Sequence, residues 1–113
     1  MQYFNLGVKE GVDISCLHPL LFQAWLKAAE IYNKRKLICT ITSSNEYVLG
    51  RYKNSLHYVK PYCRAIDLRT RRIPFKTQER LVIQIEEELT ELDPHFQVVL
   101  KPDHIHIELD YRS

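Results

Sequence analysis

The segment His104–Leu109 alternates strictly between polar and aliphatic side chains. Ile105, Ile107 and Leu109 are interleaved with two histidines and a glutamate. Successive side chains of a β-strand point to opposite faces, so this period predicts a strand with one aliphatic and one polar face. The aliphatic face requires a core on that side of the sheet. The polar face is either exposed to solvent or part of a functional site.

Other segments supply the elements of that core. One helix should begin at His18-Pro19, and a second should be capped by Thr77 and stop at Asp93-Pro94. Further strands are expected at Leu37–Thr42, Tyr62–Thr70 and Phe96–Leu100, with an irregular lead-in over Met1–Leu17 and a loop over Ser43–Asn54. The tight connections favour an antiparallel sheet with both helices packed on one side. We therefore expect a single α+β domain spanning residues 1–113.

Composition excludes several classes of protein. The net charge of +2 is too small to indicate a nucleic-acid partner, and the basic run Arg64–Arg72 carries Asp67 in its middle, as a solvated strand edge does. No apolar run is long enough to span a membrane. The first residues lack a secretory signal, so synthesis in the cytoplasm is expected. An odd count of three cysteines argues against a disulfide framework, and the sequence does not indicate the oligomeric state.

Two histidines and a carboxylate on separate segments make up the parts of a catalytic zinc site. Such enzymes need three protein ligands, an open position for water and a nearby base. Asp67 interrupts an otherwise apolar strand, where an unpaired carboxylate is costly. A metal ion bound by Asp67 with His57 and a terminal-strand histidine would explain why a carboxylate is tolerated in this strand. A solvent-facing edge strand, and a binding module with surface histidines and no metal, remain the alternatives.

The sequence resembles a known family at these residues. Ser55-x-His57, Ala65-x-Asp67 and Asp103-x-x-His106 occur in the order found in the zinc-dependent D-alanyl-D-alanine peptidases. That family has the hedgehog/DD-peptidase fold and includes carboxypeptidases, dipeptidases and phage endolysins. The resemblance covers most of the chain and is strongest to small phage-associated carboxypeptidase-like members.

The resemblance implies a ligand set and a base. His57, Asp67 and His106 would hold one zinc ion per chain. Asp103 would act as general base and acid on the water and the leaving amine. His104 shares a face with His106 and would orient the base, assist the oxyanion or replace His106 as ligand.

The implied function is a peptidase that hydrolyses peptidoglycan stem peptides after release or delivery by another factor. Candidate substrate-binding residues are Ser55, Arg51 and Arg69. The chain departs from the family pattern in two places. His57 and Asp67 are ten residues apart rather than seven, and the stretch after the strand ending in Thr42 lacks the arginine that many members carry. These departures favour the alternative of a catalytically inactive metal-binding structural or virion-associated domain.

Overall fold

The computed structural model describes residues 5–15, 17–44 and 63–111. Their elements are β1 (Leu6–Val8), α1 (Pro19–Asn33), β2 (Cys39–Ser43), β3 (Ala65–Arg69), α2 (Phe75–Leu92), β4 (Phe96–Leu100) and β5 (His104–Leu109). The strands form one sheet in the order β1-β2-β3-β5-β4. The α+β class is therefore confirmed. In the part of the chain described, no helix has both the length and the apolar character needed to cross a membrane.

The prediction of a fully antiparallel sheet is wrong at one edge. β1 lies in the segment expected to be irregular and pairs in parallel with β2, with Gly7 opposite Thr40. Parallel neighbours need a crossover connection, and α1 provides it. Gly7 permits the close approach, because a Cβ atom at that position would lie 2.5 Å from the Thr40 Oγ1. The other strand pairs are antiparallel.

Both helices begin beside a proline. At the start of α1, the His18 Nδ1 accepts a hydrogen bond from the Leu20 N–H at 3.1 Å. The prediction that Thr77 caps α2 is wrong, because the helix already begins at Phe75. Pro74 is its N-cap residue, and the Gln78 N–H donates to the Pro74 carbonyl at 3.0 Å. Thr77 accordingly lies in the first turn.

The core occupies the space between the helices and one face of the sheet. The bounds predicted for β4 and β5 are those observed. Ile105, Ile107 and Leu109 are fully buried, as their alternation predicts, together with Leu81 and Ile85 of α2. Burying each such side chain stabilises the fold by about 1.5 to 3 kcal/mol. This packing fixes which face of β5 turns away from the helices.

Candidate metal site

Strand register brings Asp67 and the terminal-strand histidines together. β3 and β5 are antiparallel neighbours in which Asp67 lies directly opposite His106 and Arg69 lies opposite His104. Side chains opposite each other in such a pair point to the same face of the sheet. Asp67, which the sequence separates from His106 by almost 40 residues, is thus placed beside it.

An irregularity in strand register lies next to this site. The register of β2 against β3 shifts between Ile41 and Ser43, and Ser43 lies opposite Asp67. The Thr42 hydroxyl donates to the Asp67 carbonyl at 3.4 Å. This contact ties the irregular end of β2 to the backbone of Asp67, which carries the central carboxylate.

His106 lies between two carboxylates. In the protonated ring, Nδ1–H donates to Asp67 Oδ1 at 2.8 Å and Nε2–H donates to Glu108 Oε1 at 2.9 Å. Burial by itself would lower the pKa of His106, but the hydrogen bonds and charges of Asp67 and Glu108 outweigh it and raise the pKa above its ordinary value. The site therefore favours a positive charge at this position.

His104 also lies beside the Asp67 carboxylate. Its Nε2 lies 3.5 Å from Asp67 Oδ1, and its Nδ1 lies 2.6 Å from Asp103 Oδ1. The side chain of Asp67 is only 15% exposed, whereas that of Asp103 is 86% exposed. Asp67 Oδ1 is thus shared by both rings, and Asp103 reaches the site from the solvent side.

The donor atoms fit a transition metal. One carboxylate oxygen of Asp67 and one ring nitrogen each of His104 and His106 lie within 4.8 Å of one another. Two imidazoles and one carboxylate form a set that zinc enzymes use, whereas magnesium and calcium prefer oxygen ligands throughout. The described residues can therefore supply three ligands to a metal ion.

Each histidine has a carboxylate partner on the ring nitrogen that faces away from Asp67. Asp103 is the partner of His104, and Glu108 is the partner of His106. Such partners hold a ligand ring in its orientation and make it more basic. Sequence reasoning assigned no role to Glu108, although its position two residues after His106 places it on the same face of the strand.

If this cluster holds a metal ion, replacing Glu108 with alanine should weaken its binding about ten- to a hundredfold, because His106 loses the group that orients its ring. Competition with a chromogenic chelator would measure the affinity. Glu108→Gln keeps an oxygen that can accept from Nε2–H and should recover part of the loss. The matched control is Glu91→Ala on the exposed face of α2. An unchanged affinity in Glu108→Ala would exclude this role.

An open groove of about 700 Å³ borders the cluster. Asp67, Asp103 and His104 form part of its wall, and Arg69 lies beside them as its alternation with Asp67 predicts. Lys9, Thr42, Arg71 and Arg72 also line it, and sequence reasoning had not placed them there. The pairing of β1 with β2 brings Lys9 to the groove, and no sequence signal predicted that strand.

Five of the predicted site residues lie in the described part of the chain and are close together: Asp67, Arg69, Asp103, His104 and His106. His57, Ser55 and Arg51 lie outside the described residues. Cys63 lies in the interval between His57 and Asp67, close in sequence to the proposed ligands. It is 1% exposed and packs in the hydrophobic core.

No family model matches the chain, and neither the curated proteins nor the solved structures contain a match.

Proposed function

We propose that the chain is a zinc-dependent peptidase that hydrolyses peptidoglycan stem peptides. The observation that carries the proposal is the convergence of Asp67, His104 and His106 at the edge of an open groove. The ordered motifs shared with the D-alanyl-D-alanine peptidases supply the reaction class and the substrate class. Delivery to the cell wall by release or by another factor is part of the same proposal.

The proposed ligands are Asp67, His106 and His57. Zinc bound by this set would supply an acidic water and polarise the scissile carbonyl. Asp67 contributes the negative charge, and Glu108 holds the ring of His106 through Nε2. If His104 replaces His57, all three ligands come from the described residues.

Asp103 is the proposed general base and acid. Its carboxylate is exposed enough to receive a proton from water and pass it to the leaving amine. The Nδ1–H of His104 donates to this carboxylate and keeps it beside the ligand cluster. In this arrangement His104 positions the base, and its Nε2 remains directed towards Asp67.

Metal removal tests the proposal directly. The purified protein should contain about one zinc per chain and should cleave muropeptide fragments that end in D-Ala-D-Ala, since the site holds one set of ligands. Chelation should abolish cleavage, and added zinc should restore it. Mass spectrometry of the products would identify the bond that is cut, and His106→Ala serves as the metal-deficient blank.

The same experiment separates the alternatives. Zinc retained without turnover on any fragment would favour a non-catalytic metal-binding domain, a role that the longer interval between His57 and Asp67 supports. A folded protein that binds no zinc would exclude both the zinc peptidase and the non-catalytic metal-binding domain. Loss of zinc in His104→Ala as well as in His106→Ala would identify His104 as a ligand.

A further inference from the structure

The groove beside the candidate metal site carries an excess of positive charge. Among the described residues that line it, four are basic, namely Lys9, Arg69, Arg71 and Arg72. Two of the described lining residues are carboxylates, and one of these, Asp67, belongs to the ligand cluster. A metal ion at that cluster would add further positive charge. The groove therefore favours an anion at the place where a ligand would approach the metal.

Arg71 and Arg72 belong to the turn at residues 70–73, which is anchored to the core. At the end of β3, the buried Tyr32 hydroxyl donates to the Arg69 carbonyl at 3.0 Å. The Ile73 N–H donates to the carbonyl of buried Thr70 at 3.0 Å. Gln78 of α2 then donates from Nε2 to the Ile73 carbonyl at 2.7 Å. These bonds fix the backbone that carries Arg71 and Arg72.

Arg72 occupies a backbone conformation that favours glycine. Its φ is +69°, in the left-handed region that is unfavourable for a residue with a side chain. Strained residues concentrate at binding and catalytic sites. Here the strained residue is an arginine that lines the groove. Its backbone conformation is less favourable than it would be with glycine at the same position.

We propose that this turn, together with Lys9, binds a carboxylate of the peptide that lies in the metal-site groove. The inference rests on the proposed function and adds a preference for acidic peptides. A guanidinium presents a planar fork of donors that matches a carboxylate with two hydrogen bonds. The groove's volume lies in the range of small-ligand sites. Asp67 and Asp103 in its wall oppose a polyanion such as a nucleic acid.

The test compares two peptides that differ in one group. A short peptide ending in D-Ala-D-Ala is used as the free acid and as the carboxamide, with the zinc-free protein and calorimetry as the readout. Wild-type protein should bind the acid at least about tenfold more tightly, because charge-assisted bonds to arginine are lost in the amide. Arg71→Gln combined with Arg72→Gly should lose most of that preference.

A matched control exists at the end of α1. Lys36 also has a positive φ, +61°, and Lys34 precedes it by two residues, so Lys34→Gln with Lys36→Gly removes the same charge and introduces the same glycine. This variant should keep the wild-type preference. Urea unfolding should show that neither glycine destabilises the protein.

The outcomes distinguish this inference from the proposed function. Equal binding of the acid and the amide by wild-type protein overturns the carboxylate site, even if the peptide is hydrolysed. A preference for the acid that depends on Arg71 and Arg72 supports it, even if no hydrolysis occurs. Displacement of the acid peptide by a single-stranded oligonucleotide at lower concentration overturns it in favour of nucleic-acid binding.

Discussion

Asp67→Asn should lower the affinity for zinc by more than about a hundredfold. Groups that merely orient a ligand already contribute about ten- to a hundredfold to metal affinity, and in the proposed site Asp67 would bind the metal through its own oxygen. Asparagine keeps the shape of the side chain but removes the negative charge between the two imidazole rings. Zinc content after dialysis and chelator competition would measure the loss. Under the proposed function, peptide cleavage should disappear in parallel.

The chain contains a second pair that provides the control. Asp93 Oδ1 accepts from His95 Nδ1 at 2.9 Å, and the Tyr111 hydroxyl donates to Asp93 Oδ2 at 2.7 Å. Asp93→Asn makes the same chemical change in another histidine–carboxylate contact and should leave zinc binding intact. Equal zinc loss in both variants would indicate a general effect on the fold, and retention in Asp67→Asn would remove Asp67 from the site.

Asp103→Asn, unlike Asp67→Asn, should retain zinc. Its turnover should fall about 10²- to 10⁴-fold. The amide oxygen can still accept the hydrogen bond from His104 Nδ1, so the neighbouring ring stays in place. What the amide cannot do is take a proton from water near neutral pH. Single-turnover cleavage on the zinc-loaded variant would separate the chemical step from binding.

Glu86→Gln on the outer face of α2 is the control for Asp103→Asn, because it neutralises an exposed carboxylate away from the groove. It should cleave at the wild-type rate. Full activity in Asp103→Asn would show that another group carries the proton. Loss of zinc in that variant would instead show that Asp103 acts on the metal through His104.

Much of the sheet could be predicted because its strands follow clear periodic patterns. Alternation identifies β5 and its buried face, and the short link from Leu100 to His104 indicates a hairpin. β1 has no such signal, since three residues containing Gly7 show no usable period. Its pairing depends on where α1 returns the chain, which is a tertiary effect. The start of α2 was also mispredicted, because Thr77 is a common capping residue but Pro74 terminates the preceding segment first.

The candidate site was only partly predictable for a related reason. Residue types and spacing identify Asp67, Asp103, His104 and His106 as chemistry-bearing. They do not give the strand register, which decides that His106 lies opposite Asp67. The partnership of Glu108 with His106 depends on side-chain orientation. The position of Lys9 depends on the unpredicted strand. The environment of His57 lies outside the described residues, so its role as a ligand stays a prediction.

The position of β5 between β3 and β4 links correct folding to the presence of a binding site. If β5 slipped by one residue against its neighbours, its two histidines would enter the apolar core and its aliphatic side chains would meet water. Donor atoms therefore converge only in molecules whose strands are aligned correctly. A cation bound there would stabilise the correctly aligned state relative to the slipped one, because only the aligned state offers it ligands. Metal binding would thus favour the native strand register during folding.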